Sequence, residues 1–337
     1  MRMKELSFGV VGWGYWGPKI ARNLDALPQG MVTMVADMDE YRLASLRISQ
    51  PWMKATTRAE DVFRSEVDGV VIATPVRTHY RLAKEALLAG KHVLVEKPLT
   101  ADIAEAEELV AIAQAQGRIL MVGHTFEYSP AVNELRKLVQ SGDLGKIYCI
   151  DAERVNLGLF RSDINVIWDL APHDISILLY ILGKKPEQIR VQAHTNLQPH
   201  IHDIAHLDLG FADGLNAHIH VSWLHPCKIR RVTVIGDARM VVYDDTNPSE
   251  MIKIYNKGAD IHADPVVSYR NGEITIPYIE WIEPLQLECA DFARAIRTGT
   301  QPRAHGGVGL EVVRILVQAQ EALARQEKET LAIPLTL

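Results

Sequence analysis

The sequence lacks the features of disulfide-rich, membrane-spanning and nucleic-acid-binding proteins. It has only 3 cysteines in 337 residues and no Cys-x-x-Cys pair, which argues against a disulfide framework or a cysteine zinc site and fits a reducing, cytoplasmic setting. No apolar run reaches the roughly 18 residues of a membrane span, and no signal peptide is expected before the first strand pattern. With a formal net charge of -6 and no basic block, the chain is not expected to bind nucleic acid or a membrane surface.

What the sequence does contain is a glycine-rich turn near its start. An apolar run ends at Gly12, and Gly12, Gly14 and Gly17 follow the pattern G-x-G-x-x-G before a helical pattern begins. Glycines at these places permit a sharp turn, a close approach to a diphosphate and close packing of helix on strand, while the helix N-terminus attracts the phosphates. The motif predicts a dinucleotide site, with Tyr15 and Trp16 beside the cofactor and Trp16 packing between helix and sheet.

Asp37 decides which dinucleotide is expected. It follows the second apolar run, Met31 to Ala36, and lies 20 residues after Gly17. A carboxylate at this place accepts hydrogen bonds from both ribose hydroxyls and repels a 2′-phosphate, which predicts NAD rather than NADP. The alternative is an acidic residue that only caps a helix predicted from Asp39 to Ser45.

Apolar strands and helices alternate through the first third of the chain. Further strands are predicted at Asp68 to Thr74, His92 to Glu96 and Ile119 to Gly123, and helices at Lys19 to Leu27, Arg81 to Ala89 and Ala101 to Gln116. This alternation is typical of a parallel sheet covered by helices on both faces. We therefore expect an α/β Rossmann domain over residues 1–124.

The pattern changes to an α+β domain with a large, mostly antiparallel open sheet over residues 125–337. A strand is predicted at Ile147 to Val155, hairpin turns at Asp213-Gly214, Gly236-Asp237 and Asn271-Gly272, helices at Ala131 to Gln140, Asp174 to Leu182, Pro284 to Thr298 and Val308 to Ala324, and an apolar end at Leu331 to Pro334. The helices are expected on one face of the sheet. A broad apolar face left open is most often covered by another subunit, which predicts a homo-oligomer.

Several polar residues follow the predicted Rossmann strands, at the sheet edge where a cofactor binds. Thr74 and Pro75 are expected along the adenosine–diphosphate side, and Glu96 ends a strand at the edge that should face the cofactor. His79 opens a helix, where a cofactor role and a packing role are both open.

Lys97 is the first catalytic candidate. It follows a buried strand and precedes Pro98, which would hold it at the carboxyl edge of the sheet, and a cis Lys97–Pro98 bond would turn its ammonium into the crevice. There it can hydrogen-bond the reacting hydroxyl of an alcohol and stabilise the alkoxide as hydride leaves. The alternative is a solvated surface lysine.

Asp169 and His173 form the second candidate. They precede the apolar helix predicted from Asp174 and are four residues apart, so both can reach one centre. Histidine titrates near neutral pH, as a general base for alcohol oxidation must. The alternative is that one of the two only caps the helix.

Together these motifs resemble the Gfo/Idh/MocA oxidoreductase family over the whole chain. The resemblance rests on the glycine turn, Asp37, the run Glu96-Lys97-Pro98-Leu99 and the spacing Asp169-x-x-x-His173. It implies a nicotinamide cofactor, a sugar, polyol or nucleotide-sugar substrate, a C-terminal sheet used for oligomerisation, and a commonly cis Lys97–Pro98 bond. It also implies a catalytic trio of Lys97, Asp169 and His173, in which either Lys97 or His173 accepts the proton.

The run from Arg161 to Asp174 is similar to one branch of that family. Members of the branch oxidise the 3-hydroxyl of UDP-N-acetylglucosamine or its uronic acid ahead of a transaminase, in cell-surface polysaccharide or lipid A sugar biosynthesis. Most of the family has D-x-G-x-H, whereas this chain has Ala171 and Pro172 there, as that branch does. The residues expected to bind the UDP-sugar are Lys97, Tyr128, Arg154, Arg161, Asn165, Trp168 and His173.

Other functions stay open at this point. A free-sugar or inositol dehydrogenase and an NAD-dependent glycosidase would share the same fold. A non-enzymatic nucleotide-sensing protein is disfavoured because Lys97 and His173 are both present. No metal is predicted, since the histidines around Asp203 match no zinc spacing, and His206, His218 and His220 are expected opposite the apolar face of their hairpin.

Overall fold

The computed structural model describes residues 5–261 and 267–332, which divide into two compact units. The first unit takes in Met1–Tyr128 and Ile282–Arg314, and the second takes in Ser129–Trp281 and Ile315–Leu337. The domain boundary at 124/125 stays a prediction, and the apolar end at Leu331 to Pro334 lies partly outside the described residues.

The elements follow one another as two successive series. From the start to residue 128 they are β1 (Leu6–Val11), α1 (Gly17–Asp25), β2 (Gly30–Ala36), α2 (Glu40–Ser49), β3 (Lys54–Thr56), α3 (Ala59–Arg64), β4 (Gly69–Ile72), α4 (His79–Leu88), β5 (His92–Val95), α5 (Ile103–Ala115) and β6 (Leu120–Val122). They continue with α6 (Pro130–Ser141), β7 (Ile147–Val155), α7 (Val166–Leu182), β8 (Gln188–His194), β9 (Ile204–Gly210), β10 (Asn216–Ser222), β11 (Ile229–Gly236), β12 (Met240–Asp244), β13 (Ile252–Ile261), β14 (Val267–Thr275), α8 (Pro284–Thr298) and α9 (Gly306–Ala332).

The first unit is built on a parallel sheet whose described strands run in the order β3-β2-β1-β4-β5-β6. The order reverses between β1 and β4, and in such sheets a ligand binds where the carboxyl ends of those strands part. Helix α8 packs against α1, and Phe292 on α8 lies 6.0 Å from the ring of Phe8 on β1. The Rossmann fold is confirmed. The sequence patterns missed β3 and α3, because so short a strand and helix carry too little periodicity.

The second unit contains the large sheet, in the order β14-β13-β12-β11-β7-β10-β9-β8 over the described strands. Among these, β7 and β10 are parallel neighbours and the other pairs are antiparallel, so the predicted mostly antiparallel sheet is confirmed. Helix α7 packs against β7, β9 and β10, whose inward side chains, such as Ile150, Leu207 and Ile219, are fully buried.

The open face of this sheet is more polar than expected. The prediction of an oligomer assumed that this face is broadly apolar, but along β7, β9 and β10 it carries Asp151, Glu153, His206, His218 and His220. The three histidines do lie opposite the buried face, as predicted, and the rings of His206 and His220 stack at 4.2 Å. Polar ladders of this kind tolerate water, so the face does not by its composition require a partner.

One predicted hairpin is wrong. Asn271-Gly272 lies inside β14 rather than at a turn, and the pairing of β13 with β14 shifts register between Tyr255 and Lys257. A glycine in such a shift serves a bulge, which uses the same residue types as a turn. The turns at Asp213-Gly214 and Gly236-Asp237 do join neighbouring antiparallel strands.

The helix predicted from Asp174 starts earlier, at Val166. Pro172 lies inside it, although proline usually interrupts a helix. Asn165 caps the helix by accepting hydrogen bonds from the backbone N–H groups of Ile167 and Trp168 at 3.1 and 3.2 Å. Because Asn165 is the cap, neither Asp169 nor His173 has that role, and both lie within the helix.

Candidate active site

The candidate residues divide between the two units and are described unit by unit. In the first unit, the glycine turn between β1 and α1 leaves no room for side chains at two of its three glycines. Gly12 has φ +99, and a Cβ there would lie 2.4 Å from the carbonyl oxygen of Ala73, while a Cβ on Gly17 would lie 2.1 Å from that of Gly12. At Gly14 the nearest atom to a Cβ would be a nitrogen of Arg42 at 3.6 Å. The open side at Gly14 is therefore the place where a diphosphate fits.

The start of α1 adds to this cradle. Trp16 is the N-cap residue, its side chain makes no capping bond within the described chain, and the first turn contains no acidic residue. The leading amides and the positive helix end thus suit a phosphate. Lys19 adds a cation, its Nζ lying 3.3 Å from the ring centroid of the exposed Tyr15. Trp13 and Trp16 pack against the core of the first unit, as expected for Trp16.

Asp37 lies directly after β2 and holds the glycine turn. One carboxylate oxygen accepts a hydrogen bond from the backbone N–H of Trp13 at 2.5 Å, and the other accepts one from Asp39 at 2.8 Å. The helix α2 is capped by Asp39 through Tyr41, so Asp37 is not the helix cap. Arg42 contacts Asp37 at 3.4 Å. Asp37 thus lies at the carboxyl end of β2, the position at which Rossmann folds hold the ribose of a dinucleotide.

His79 joins two loops at the carboxyl edge of the sheet. Its ring nitrogens lie 2.8 Å from the carbonyl oxygen of Pro98 and 2.7 Å from that of Thr74. Burial lowers the pKa of His79, although the two carbonyl contacts oppose that shift. This geometry favours the packing role, in which His79 positions the segments of Thr74-Pro75 and Lys97-Pro98. Thr74 shares a further hydrogen bond with Thr78 at 2.7 Å.

Lys97 follows β5 beside a group of buried ionisable side chains. The Lys97–Pro98 peptide bond is cis. Glu96 is buried, which raises its pKa to about 7 although the Lys97 charge and the Lys97 N–H oppose the shift. Strongly shifted pKa values cluster at functional sites, so this edge of the sheet is a candidate for one.

His124 and Glu288 complete that group and were missed in the sequence. His124 is fully buried, neither of its ring nitrogens has a hydrogen-bond partner among the described residues, and burial with the Lys97 charge lowers its pKa to about 3. Glu288 comes from α8, and burial together with Glu96 raises its pKa well above the ordinary value. No motif marks either residue, and Glu288 lies on α8, more than 150 residues after His124 in the chain.

Tyr128 lies in the same unit but is not free to meet a sugar. It is buried, its hydroxyl donates to Asp291 at 2.8 Å, and it accepts the backbone N–H of Ala304 at 3.2 Å. Its predicted role in substrate binding stays untested, but the geometry favours a structural one.

In the second unit, α7 presents Asp169 and His173 one turn apart on one helix face. Asp169 accepts a hydrogen bond from the indole N–H of the buried Trp223 at 3.0 Å. This bond fixes the position of the Asp169 carboxylate. The hydrogen bond of Trp223 to Asp169 has no signal in the sequence.

Arg154 has a different environment from the one predicted. It is buried on β7 and makes two hydrogen bonds to Asp174 of α7, from Nε at 2.8 Å and from Nη2 at 2.9 Å. Burial opposes its charge, but Asp174 outweighs burial and raises the pKa of Arg154. The pair fastens α7 to the sheet one residue beyond His173.

The remaining predicted substrate residues lie around the start of α7. Trp168 is half-buried, and Asn165 donates to Gln320 at 2.9 Å besides capping the helix. Arg161 is exposed and pairs with Asp163 at 3.2 Å. Exposed ion pairs of this kind contribute little to stability, so the Arg161 guanidinium can exchange partners at small cost.

The first unit combines a Rossmann sheet, a glycine turn held by Asp37, and Lys97 at the carboxyl edge of the same sheet. This combination is typical of an NAD-binding oxidoreductase. Residues 6–124 match the model of the oxidoreductase family with an NAD-binding Rossmann fold, and residues 132–242 match that of the GFO/IDH/MocA C-terminal domain. The chain belongs to the Gfo/Idh/MocA family. No helix in the described part of the chain is long and apolar enough to cross a membrane.

Individual relatives show which enzymes of the family this chain resembles. The UDP-N-acetylglucosamine 3-dehydrogenase of Acidithiobacillus ferrooxidans is 29% identical over 325 residues, covering 95% of this chain and 98% of its own. A solved structure of that enzyme, GnnA, has a TM-score of 0.81 and covers 96% of this chain and 99% of its own. An inositol 2-dehydrogenase of Corynebacterium glutamicum is 27% identical over 249 residues, covering 70% of this chain and 74% of its own.

A second solved structure supports the fold. GenD2 from gentamicin A biosynthesis, solved in complex with NAD, has a TM-score of 0.82 at 24% identity and covers 97% of this chain and 96% of its own. Its fold is the one described here. The match to the family with an NAD-binding Rossmann fold confirms the prediction of NAD.

Proposed function

We propose that this oxidoreductase is a dehydrogenase that uses NAD to oxidise the 3-hydroxyl of a UDP-linked amino sugar, UDP-N-acetylglucosamine or its uronic acid. The observation that carries the proposal is the similarity to UDP-N-acetylglucosamine 3-dehydrogenase along nearly the whole of both chains. The product is a 3-keto sugar, the substrate that a transaminase needs to make an amino sugar for a polysaccharide or lipid A. A cytoplasmic location is part of the proposal.

Each candidate residue has a role in this proposal. Gly14 and Asp37 would hold NAD, which would supply the hydride acceptor. His173 takes the hydroxyl proton, Asp169 orients His173, and Lys97 orients the hydroxyl and stabilises the developing negative charge. The exchange of roles between Lys97 and His173 is the main alternative within this mechanism.

A screen tests the substrate. The purified protein is mixed with NAD and, in turn, UDP-N-acetylglucosamine, its uronic acid, free N-acetylglucosamine and myo-inositol, and the absorbance of NADH is followed. We expect reduction of NAD with a UDP-amino sugar and a 3-keto product. Reduction only with inositol would favour an inositol dehydrogenase, which the Corynebacterium relative supports. Release of free sugar without net NADH would favour a glycosidase.

Variants test the roles. K97M and H173A are each expected to lower kcat by roughly 100-fold or more, the usual contribution of acid–base groups. H194A changes an exposed histidine at the end of β8 and serves as the matched control with unchanged kcat. Near-normal turnover in K97M or H173A would refute the role assigned to that residue.

We also propose a homo-oligomer formed through the second sheet. The support is the edge of that sheet, where β14 and the segment after it expose Tyr269, Ile274, Tyr278 and Trp281. Exposed apolar surface of this extent is typical of an interface. Sedimentation of the purified protein, compared with a variant that carries Y269S and Y278S, tests it.

A further inference from the structure

A cluster of metal-binding residue types lies on the open face of the second sheet, apart from α7. Cys149 and Asp151 are two residues apart on β7 and therefore share a face. His218 on β10 is the register partner of Asp151. One ligand atom from each of the three side chains lies within 4.8 Å of the other two.

A carboxylate already orients the histidine of this cluster. Asp208 on β9 is the register partner of His218, and its Oδ1 lies 2.5 Å from Nδ1 of His218. Histidines that bind metals almost always donate their second ring nitrogen to such a group, which fixes the tautomer and raises ligand basicity. With Nδ1 held by Asp208, Nε2 is the nitrogen that a metal would take.

The thiol and carboxylate also face each other. The Sγ atom of Cys149 donates to Oδ1 of Asp151 at 3.6 Å. Burial and the nearby Asp151 raise the pKa of Cys149 to about 11, so the thiol keeps its proton while no metal is bound. A divalent cation between the two atoms would replace that proton and compensate both negative charges.

We propose that Cys149, Asp151 and His218 bind one zinc ion, with Asp208 as the positioning residue for His218 and a water molecule as the fourth ligand. Thiolate and imidazole ligands favour zinc over magnesium or calcium, and three protein ligands with one open position are typical of zinc. Zinc–ligand distances of about 2.0–2.3 Å require the ligand atoms to approach to roughly 3.5 Å of one another. The side chain of Asp151 is exposed and can rotate to close that difference while Asp208 keeps its contact with His218.

Cobalt provides the probe, because a tetrahedral cobalt–thiolate centre absorbs visible and near-ultraviolet light. The full-length protein, freed of metal by chelator, is titrated with cobalt chloride and then with zinc chloride. We expect cobalt–thiolate bands that saturate at one ion per chain and disappear as zinc displaces cobalt.

Matched variants make the result specific. C149S removes the thiolate, and we expect the bands to vanish, whereas C227S removes an exposed cysteine elsewhere and leaves them unchanged. D208N is expected to keep the bands but weaken cobalt binding 10- to 100-fold. Zinc should also raise the Tm of the wild type and of C227S but not that of C149S. Absence of the bands in the wild type, or their survival in C149S, would overturn the proposal, and neither result depends on the enzyme's activity.

Discussion

The buried pair of Arg154 and Asp174 allows a sharp prediction about the second unit. The side chains are 4% and 1% exposed and share two hydrogen bonds. D174N keeps the shape of the side chain but removes its charge, so the Arg154 guanidinium loses its counter-charge away from water. Breaking such a pair from one side costs about 3–5 kcal/mol. For a unit of this size, that lowers Tm by roughly 6–20 °C.

A double variant separates the free energy lost when Arg154 lacks Asp174 from the net contribution of the ion pair to stability. Replacing both charges by apolar groups of similar size, as in R154M with D174L, is often neutral or stabilising, because two buried charges no longer need to be desolvated. We therefore expect the double variant to recover most of the stability that D174N loses. Urea unfolding, followed by circular dichroism, gives the free energies. A loss below about 1 kcal/mol in D174N, or a double variant as unstable as D174N, would refute the reasoning.

The same double variant decides what Arg154 does. If Arg154 only fastens α7 to β7, the double variant keeps the KM for its substrate. If Arg154 binds a diphosphate or uronate, as the sequence suggested, KM rises sharply while the unfolding free energy stays near the wild-type value. N133A, which removes a hydrogen bond between α6 and Tyr180 of α7, is the control for general loosening of the helix.

Three other predictions follow from the geometry of single groups. G17A forces a Cβ to 2.1 Å from a carbonyl oxygen and is expected to lower the free energy of unfolding by about 1–3 kcal/mol. G14A has room for its Cβ, so it should leave the free energy of unfolding unchanged while weakening NAD binding. Equal losses of stability in the two variants, measured by calorimetry, would contradict this. Because burial raises the pKa of Glu96 from 4.5 to about 7, its stabilisation is complete below pH 4.5 and lost as the pH rises through about 7, roughly 3 kcal/mol in all. E96Q should flatten that part of the curve of stability against pH, and an unchanged slope would count against the burial argument. W223F removes the N–H that Asp169 accepts, so kcat should fall with little change in the KM for NAD, and an unaltered kcat would show that this bond is dispensable.

Much of the fold follows from patterns that are local in the sequence. The apolar runs and glycine stops predicted the parallel strands and their helices, and β7 and α8 have the predicted bounds. The glycine turn with Asp37 predicted the NAD site, because the steric needs of the turn and the charge that the ribose requires are properties of the residues themselves. The errors arose at residue types that occur in more than one kind of local structure. Pro172 lies within a helix rather than before it, and Asn271-Gly272 lies in a bulge rather than a turn.

The candidate site shows the limit of such reasoning. Lys97, Asp169 and His173 could be proposed from their motifs, but the sequence could not show that Tyr128 and Arg154 would be buried with partners of their own. Nor could the sequence show that Glu288 lies near Glu96, or that His218 lies near Cys149. A helix or strand depends on neighbours a few residues away, which the sequence displays. The partner of a polar side chain depends on which distant segments the packed core brings together, and for this protein that was decided only by the tertiary structure.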